Sequence, residues 1–464
     1  MLAGLIAIPP LIQLIGLELF ALLSIGWLLI GFVGMLDLGV ARAITYTLAK
    51  NESGYSQAQQ QLLTHKLTFI ALILGIFWML LLLWMLPLLV HHVLNIPEPL
   101  QSSAESALTW LAFSIPIMLV TNARIAILEG QQRFIKSNLH KIPFGIMVFL
   151  LPWWVALVDA NIVSIFIGLF VLRVLYGLSF VTGIWKHAAI KQPLPPLALK
   201  QSLVFSSWIA VSNIISPMLT YFDRFYISAL LGLTAVAYYT IPYDMLIRLL
   251  VFPSAIMIGL FPVFTRYYAQ SDAHGMQSII EHAHKLLRFI WLPVVAIILI
   301  TVKPLLAYWL SESLATEMYF IAQLLALGIF INGLATLPYN LLQGIGRSDL
   351  VAKFHIFELP LYAITVWVAI TQWGVTGAAV AWGARVLLDF ILLYSACYRL
   401  LPELRSILKT LLKTMLSGLF LCAILMQITQ PIELIVTLIL LTMIPIVGYY
   451  AKIKTVLTRN IKTT

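Results

Sequence analysis

The sequence predicts an all-α integral membrane protein with about 14 transmembrane helices. Three observations lead there. Hydrophobic residues make up 61% of the 464-residue chain and charged residues only 10%, far outside the range of a soluble domain. Apolar runs of about 20 residues recur from end to end, and only helices satisfy the backbone at that depth. Most of the basic residues lie in alternate connectors between those runs.

Taken in order, the runs place helices over residues 1–15, 19–41, 67–90, 105–128, 143–158, 160–184 and 203–231. The series continues over 235–264, 286–308, 318–342, 350–371, 375–398, 410–428 and 433–450. The even-numbered connectors and the C-terminal tail carry 22 of the 28 Lys and Arg residues, among them Arg42, Lys66, Arg133, Lys186, Lys191, Arg266, Arg347 and Lys452. The opposite connectors carry Glu18, Glu98, Glu105, Asp159, Glu312, Glu317 and Glu433, with Lys303 the one basic residue near them. The positive-inside rule then puts both termini in the cytoplasm. The net charge of +10 therefore reports orientation and not a nucleic-acid partner.

The first half of the chain also aligns with the second. "IGLELFAL" (15–22) lies on "LGLTAVAY" (231–238), "ILEGQQRF" (127–134) on "LLQGIGRS" (341–348), and "VLRVLYGL" (171–178) on "GARVLLDF" (383–390). The nearly constant spacing identifies an internal repeat of six helices. Six is even, so the halves enter the membrane in the same sense, an arrangement that belongs to transporters. The expected domains are 1–200 and 201–400, one bundle each, and 401–464, two extra helices and a basic tail. Residues 1–15 align with only the second part of the seventh helix, so about a dozen residues are expected to precede Met1 in the natural chain.

Within the runs lie Arg124, Arg173, Arg224, Arg248 and Arg385. Each costs about 2.5–3.5 kcal/mol near a bilayer centre, so five of them require partners or a water-filled cavity. The acids available are Asp223, Asp244, Glu358 and Asp389. Asp244 with Arg248, and Arg385 with Asp389, stand four apart, so each pair can neutralise itself on one helical face. Arg124 and Arg173 have no acid at helical spacing and are the better ligand candidates. The repeat matches Arg173 to Arg385, and two guanidinium groups at equivalent depth suit a pyrophosphate.

Asp223 and Arg224 are adjacent, about 100° apart around a helix, and cannot share one face. At least one must reach another helix or a lumen; Arg224 is expected to face the lumen, with Asp223 supporting it or titrating. Pro217, Pro242 and Pro253 flank these charges as sites of kinks or hinges. Tyr238, Tyr239 and Tyr243 can stack on sugars, and interfacial anchoring accounts equally well for the first two. There is no Gly-rich phosphate loop and no His-x3-His spacing, so neither a cofactor nor a metal is expected. Cys397 and Cys422 lie in apolar runs and are read as packing residues.

Three stretches, "GLELFALLSIGWLLIGFVGMLDLGVARA" (16–43), "ILEGQQRFIKSNL" (127–139) and "SNIISPMLTYFDRFYISALLGLTAVAYYTIPYDM" (212–245), resemble the bacterial oligosaccharide flippases. These are the Wzx-type polysaccharide biosynthesis proteins of the multidrug/oligosaccharidyl-lipid/polysaccharide exporter superfamily. The resemblance implies two six-helix bundles forming a V around a cationic cavity, followed by two further helices. It implies a substrate of undecaprenyl-pyrophosphate-linked oligosaccharide, for O-antigen, capsule or exopolysaccharide, carried across the bacterial inner membrane by alternating access. A polysaccharide polymerase and a chain-length regulator are the implied partners, and membrane lipids surround the chain. The cationic lumen is matched by Arg224, Arg173 and Arg385, with proton or sodium coupling through Asp223, Asp244, Asp389 or Glu358. The alternatives are a drug or cation exporter or a lipid II flippase of the same superfamily. A membrane-bound polymerase or ligase fits less well, because the longest non-cytoplasmic connector, 91–104, has no room for catalytic groups.

The charge asymmetry yields a direct test. Cysteines introduced near Lys191 and near Glu98 should label from opposite sides of the membrane; labelling of both from the periplasm would overturn the orientation.

Overall fold

A computed structural model of the chain describes residues 2–35, 37, 40–49, 57–180 and 218–427. The expected last span, 433–450, the connector with Lys186, Lys191 and Lys200, Pro217 and the start of the seventh helix lie outside the described residues. The described residues form helices α1 (Leu2–Met35), α2 (Val40–Ala49), α3 (Gln57–Leu88), α4 (Glu98–Gly130), α5 (Phe134–Val158) and α6 (Ile162–Leu178). There follow α7 (218–231), α8 (Leu233–Ile247), α9 (Val251–Ala269), α10 (Ala273–Trp309), α11 (Glu312–Gly344), α12 (Ser348–Leu400) and α13 (Arg405–Leu425). Among the described residues, nine helices are long and apolar enough to cross a membrane, and α6 is a shorter apolar helix.

Helix starts follow local chemistry. The side chains of Asn161, Asp272 and Ser311 accept hydrogen bonds from Val163 N, Gly275 N and Leu314 N, capping α6, α10 and α11. Several helices run past the apolar run that announced them. The first four turns of α10 bury Met276, Ile280, Ala283, His284 and Leu287 on one face, a helix that hydropathy alone does not register because its other face is polar.

Breaks inside the long elements fall where the runs predict connectors. α1 is interrupted at Gly16 (φ +81°) and α12 at Gly374 (φ +57°), backbone that side-chain-bearing residues rarely adopt. At Gly374 the chain turns back on itself, and Gly377 lies so close to the Ala369 carbonyl that a Cβ would overlap it. α12 is therefore two antiparallel arms, matching the expected spans 350–371 and 375–398. Between α8 and α9 the backbone tightens to a 3-10 turn, Arg248–Leu250, because Pro253 has no N–H for the Leu249 carbonyl.

The repeat is written in the backbone. Gly16 and Gly232, matched by the alignment, both adopt positive φ, +81° and +85°. After α4, Gln131 N, Gln132 N and Arg133 N donate to the carbonyls of Ile127, Glu129 and Leu128. After α11, Ile345 N, Gly346 N and Arg347 N donate to those of Leu341, Gln343 and Leu342, position for position. Gln132 (φ +60°) and Gly346 (φ +79°) occupy the same left-handed place.

Contacts divide the chain into two units, Met1–Thr240 and Ile241–Thr464. In the first, α2, α3 and α4 share a core of Val40, Ile44, Leu63, Leu67, Ile115, Leu119 and Ala123, while Trp27 of α1 packs edge-on to Phe149 of α5. In the second, α11 is the central helix, packed by α9, α10, α12 and α13. Small residues allow that approach. Gly328 sits under Trp382, and Gly333 under Trp291, whose Nε1 donates to the Phe330 carbonyl at 3.1 Å.

A methyl group at residue 333 would stand 2.1 Å from Trp291 Nε1. Gly333→Ala should therefore lower thermal stability in detergent by about 1–3 kcal/mol. Gly383→Ala, with nothing within 4 Å of the added carbon, should leave it unchanged. Equal melting of the two variants would refute this packing.

Candidate functional site

The buried charges fall into three groups, each handled differently. The first lies in the hairpin made by α7 and α8 around Gly232, whose turn is held by Ser228 Oγ donating to the Leu94 carbonyl at 2.7 Å. Asp223 is fully buried; its Oδ2 accepts the Tyr239 hydroxyl at 2.5 Å and its Oδ1 accepts Arg224 N at 2.8 Å. Arg224 is 2% exposed and donates from Nε to Thr240 Oγ1 (3.3 Å) and from Nη1 to the Thr220 carbonyl (3.1 Å). Its guanidinium also lies 5.2 Å from the Tyr221 ring centre and 5.9 Å from that of Tyr239. Direct pairing between the two is as poor as the helical angle implies, 4.0 Å between Arg224 Nη1 and Asp223 Oδ1. Tyr239 and Thr240 thus tie Asp223 and Arg224 across the hairpin.

The second group is on α4 and α6, which pack against each other in the first unit. Arg173 is 5% exposed and has no hydrogen bond or acid partner among the described residues. Arg124 buries its Nε without a hydrogen-bond partner and lines a cavity of about 280 Å³. The remaining wall is almost wholly apolar, including Leu72, Val120, Val174 and Leu178. The repeat shows why Arg173 has no acid among the described residues. Glu358 serves Arg385 in the second repeat, whereas the corresponding stretch of α5 is apolar, with Phe144 stacked on Tyr176 at 4.1 Å.

The third group sits between the two arms of α12. Arg385 Nη1 meets Glu358 Oε2 at 3.4 Å, and His355 Nε2 lies 3.9 Å from Asp389 Oδ1. The expected self-neutralising pair Arg385 and Asp389 is thus corrected: the hairpin puts Glu358 of the opposite arm against Arg385, and Asp389 faces His355. The Arg385 guanidinium also lies 5.7 Å from the Tyr362 ring centre. Glu358, Tyr362, Thr365, Ala381 and Arg385 line a cavity of about 120 Å³.

Arg248 Nε donates to the Asp244 carbonyl at 2.7 Å, so part of that candidate pair is a backbone contact. Sequence reasoning singled out every one of these charged groups but not their neutral partners Thr240 and Tyr362, nor His355. Tyr239 and Tyr243, expected to stack on sugars or anchor at an interface, are buried; one holds Asp223 and the other packs edge-on to Trp382. Among the described residues no cluster of three or more His, Cys, Asp or Glu could hold a metal. Cys397 and Cys422 are buried and free, as packing residues would be.

Comparison with known proteins gives the geometry a context. The family described as "Polysaccharide biosynthesis protein" matches residues 1–268, and the MatE family matches 209–368. A protein of Shigella flexneri named "Putative O-antigen transporter" is 30% identical over 405 residues, 84% of this chain and 93% of that protein. The solved structure of the lipid II flippase MurJ, in an inward closed conformation, superposes with a TM-score of 0.75 at 15% identity, covering 97% of each chain. An inward-facing multidrug resistance MATE family transporter of the MOP superfamily superposes with a TM-score of 0.70 at 14% identity, covering 89% of this chain and 94% of that one. The last two likenesses establish the fold.

The α7–α8 hairpin predicts its own weak point. Tyr239→Phe removes the one hydroxyl that reaches Asp223 Oδ2 from α8, and leaving a buried acceptor short of its donor costs about 1–3 kcal/mol. Thermal unfolding in detergent should show that loss, and adding Asp223→Asn to it should cost less than the two single changes summed. Strict additivity would show that the two groups do not act together.

Proposed function

The chain belongs to the polysaccharide biosynthesis protein family, and from that premise we propose that it flips undecaprenyl-pyrophosphate-linked oligosaccharide across the bacterial cytoplasmic membrane. It is a transporter of the flippase kind and not an enzyme. The likeness to a protein named as an O-antigen transporter supports a surface-polysaccharide repeat unit as the cargo. Both termini are proposed to face the cytoplasm, on the charge bias of the connectors.

One observation carries the chemical part of this reading: Arg173 is buried in the first unit with no acid partner among the described residues. A guanidinium held out of water without a counter-charge favours an anion, and its planar fork takes two phosphate oxygens at once. Arg124, beside a cavity with apolar walls, adds a second cation on the neighbouring helix. Arg224, Arg248 and Arg385 are proposed in supporting roles, since each already engages groups of the protein. A drug or cation exporter would place acids where Arg124 and Arg173 stand. The proposed cycle is alternating access, in which binding shifts the population between two exposures of the site. A polysaccharide polymerase and a chain-length regulator are proposed to act on the delivered units.

Export and abundance, measured on the same cells, separate ligand binding from structure. Arg173→Ala should abolish surface polysaccharide with the membrane level of the protein unchanged, and Arg173→Lys should be intermediate because it keeps the charge but loses the fork. Arg224→Ala should instead lower the membrane level, since it strips the bond to Thr240 that ties α7 to α8 and a second one to the Thr220 carbonyl of its own helix. Normal export from a well-expressed Arg173→Ala variant would discard the anion site.

A further inference from the structure

α11, the central helix of the second unit, is packed so that its second half keeps one narrow face open. Beyond Leu327, every position of the helix that is not buried carries a polar side chain: Asn332, Thr336, Tyr339, Asn340 and Gln343. At 3.6 residues per turn the five fall within an arc of about 100°, and at 1.5 Å per residue they run along about 16 Å of the helix. The face is wholly neutral, because residues 318–344 contain no Asp, Glu, Lys, Arg or His. Amides and hydroxyls turned toward lipid chains would give up their hydrogen bonds to water with nothing in exchange. A row of them along a membrane-spanning helix therefore belongs to a wet surface.

The buried faces of the helix hold this open one still. Trp291 packs on Gly333 and Trp382 on Gly328, while Phe330 occupies the space that a side chain on Gly418 of α13 would take. Thr336 Oγ1 donates to the Gly333 carbonyl at 2.6 Å and Asn340 Nδ2 to the Thr336 carbonyl at 2.7 Å, so both groups are oriented and keep oxygens free to accept. The side chains of Asn332, Tyr339 and Gln343 make no hydrogen bond among the described residues. The matched positions of α4, 214 residues earlier, are Met118, Asn122, Ile125, Ala126 and Glu129, the last bound to Lys141 at 2.7 Å. The row is thus a feature of the second repeat and not a demand of the shared scaffold.

We infer that this face of α11 binds the saccharide of the lipid-linked cargo, an inference that rests on the flippase reading and names the groups that recognise the sugar. A sugar hydroxyl both donates and accepts, and the amide of Asn or Gln sets a donor beside an acceptor, so one amide matches two neighbouring hydroxyls. Tyr339 adds a ring face and a hydroxyl of its own. Other ligands suit the face badly. A phosphate needs cations, a cationic drug needs acids, and a metal ion needs carboxylate oxygens, none of which stands on this stretch. Water makes no demand for amides. A rigid helix that aims such groups also discriminates, because a ligand lacking the matching hydroxyl leaves them unpaired.

Binding of two probes to the full-length protein in lipid nanodiscs tests this: the lipid-linked repeat unit purified from cells that make the polysaccharide, and undecaprenyl pyrophosphate without sugar. The unmodified protein should bind the sugar-bearing probe at least about tenfold more tightly, the gain expected of two net hydrogen bonds. Asn332→Ser combined with Gln343→Ser keeps the face wet but removes the two free amides. That variant should bind both probes equally, with its affinity for the sugar-free one within about twofold of the unmodified protein, since groups far apart act independently. Thr336→Val, a smaller change, should weaken the sugar-bearing probe alone. A double variant that keeps the preference would show that the face merely lines water, and equal loss of both probes would show structural damage; either overturns the saccharide surface. If the unmodified protein binds both probes equally, the saccharide surface falls while the flippase reading stands, and if it binds neither, both fall.

Discussion

A charged side chain in a bilayer has no water to fall back on, and the rest of this structure is arranged around that constraint. Three arginines meet it in three ways. Arg224 is held within one hairpin by a hydroxyl, a carbonyl and aromatic faces. Arg385 takes an acid from the opposite arm of its own hairpin. Arg173 has neither among the described residues, and on that difference rests the proposal that it takes a ligand.

The internal repeat supplies the common frame on which these solutions diverge. Left-handed residues recur at Gly16 and Gly232 and at Gln132 and Gly346, and the turns after α4 and α11 share the same three hydrogen bonds. Backbone geometry was duplicated and kept; side-chain chemistry was not. Asp223 and Arg224 align with Ala7 and Ile8, both buried in the first repeat. Arg173 and Arg385 align as one residue type, yet among the described residues only the second has an acid opposite.

The charged hairpins also sit beside the points where the helices break. A turn at Gly232 brings Tyr239 back to Asp223, and a turn at Gly374 brings Arg385 back to Glu358. Antiparallel arms joined by a tight turn fix which residues face each other, so short polar contacts can be made between residues 16 and 27 positions apart. This gives both clusters a rigid support of two helices instead of a loop.

Membrane class, the approximate limits of the spans that fall within the described residues, the breaks at Gly16, Gly232 and Gly374, and the repeat were legible in the sequence alone. Hydropathy and the conformational freedom of glycine are properties of short stretches, and a bilayer leaves helices as the one way to satisfy such stretches. The sequence also showed that Asp223 and Arg224 could not satisfy each other, since adjacent residues point about 100° apart. Who satisfies them instead was not legible. Tyr239 and Thr240 for that pair, Glu358 in place of Asp389 for Arg385, and His355 beside Asp389 were decided by the packing of one arm on another. Spacing within one helix names every partner a side chain could have locally, but only the fold decides whether a partner across a hairpin lies closer.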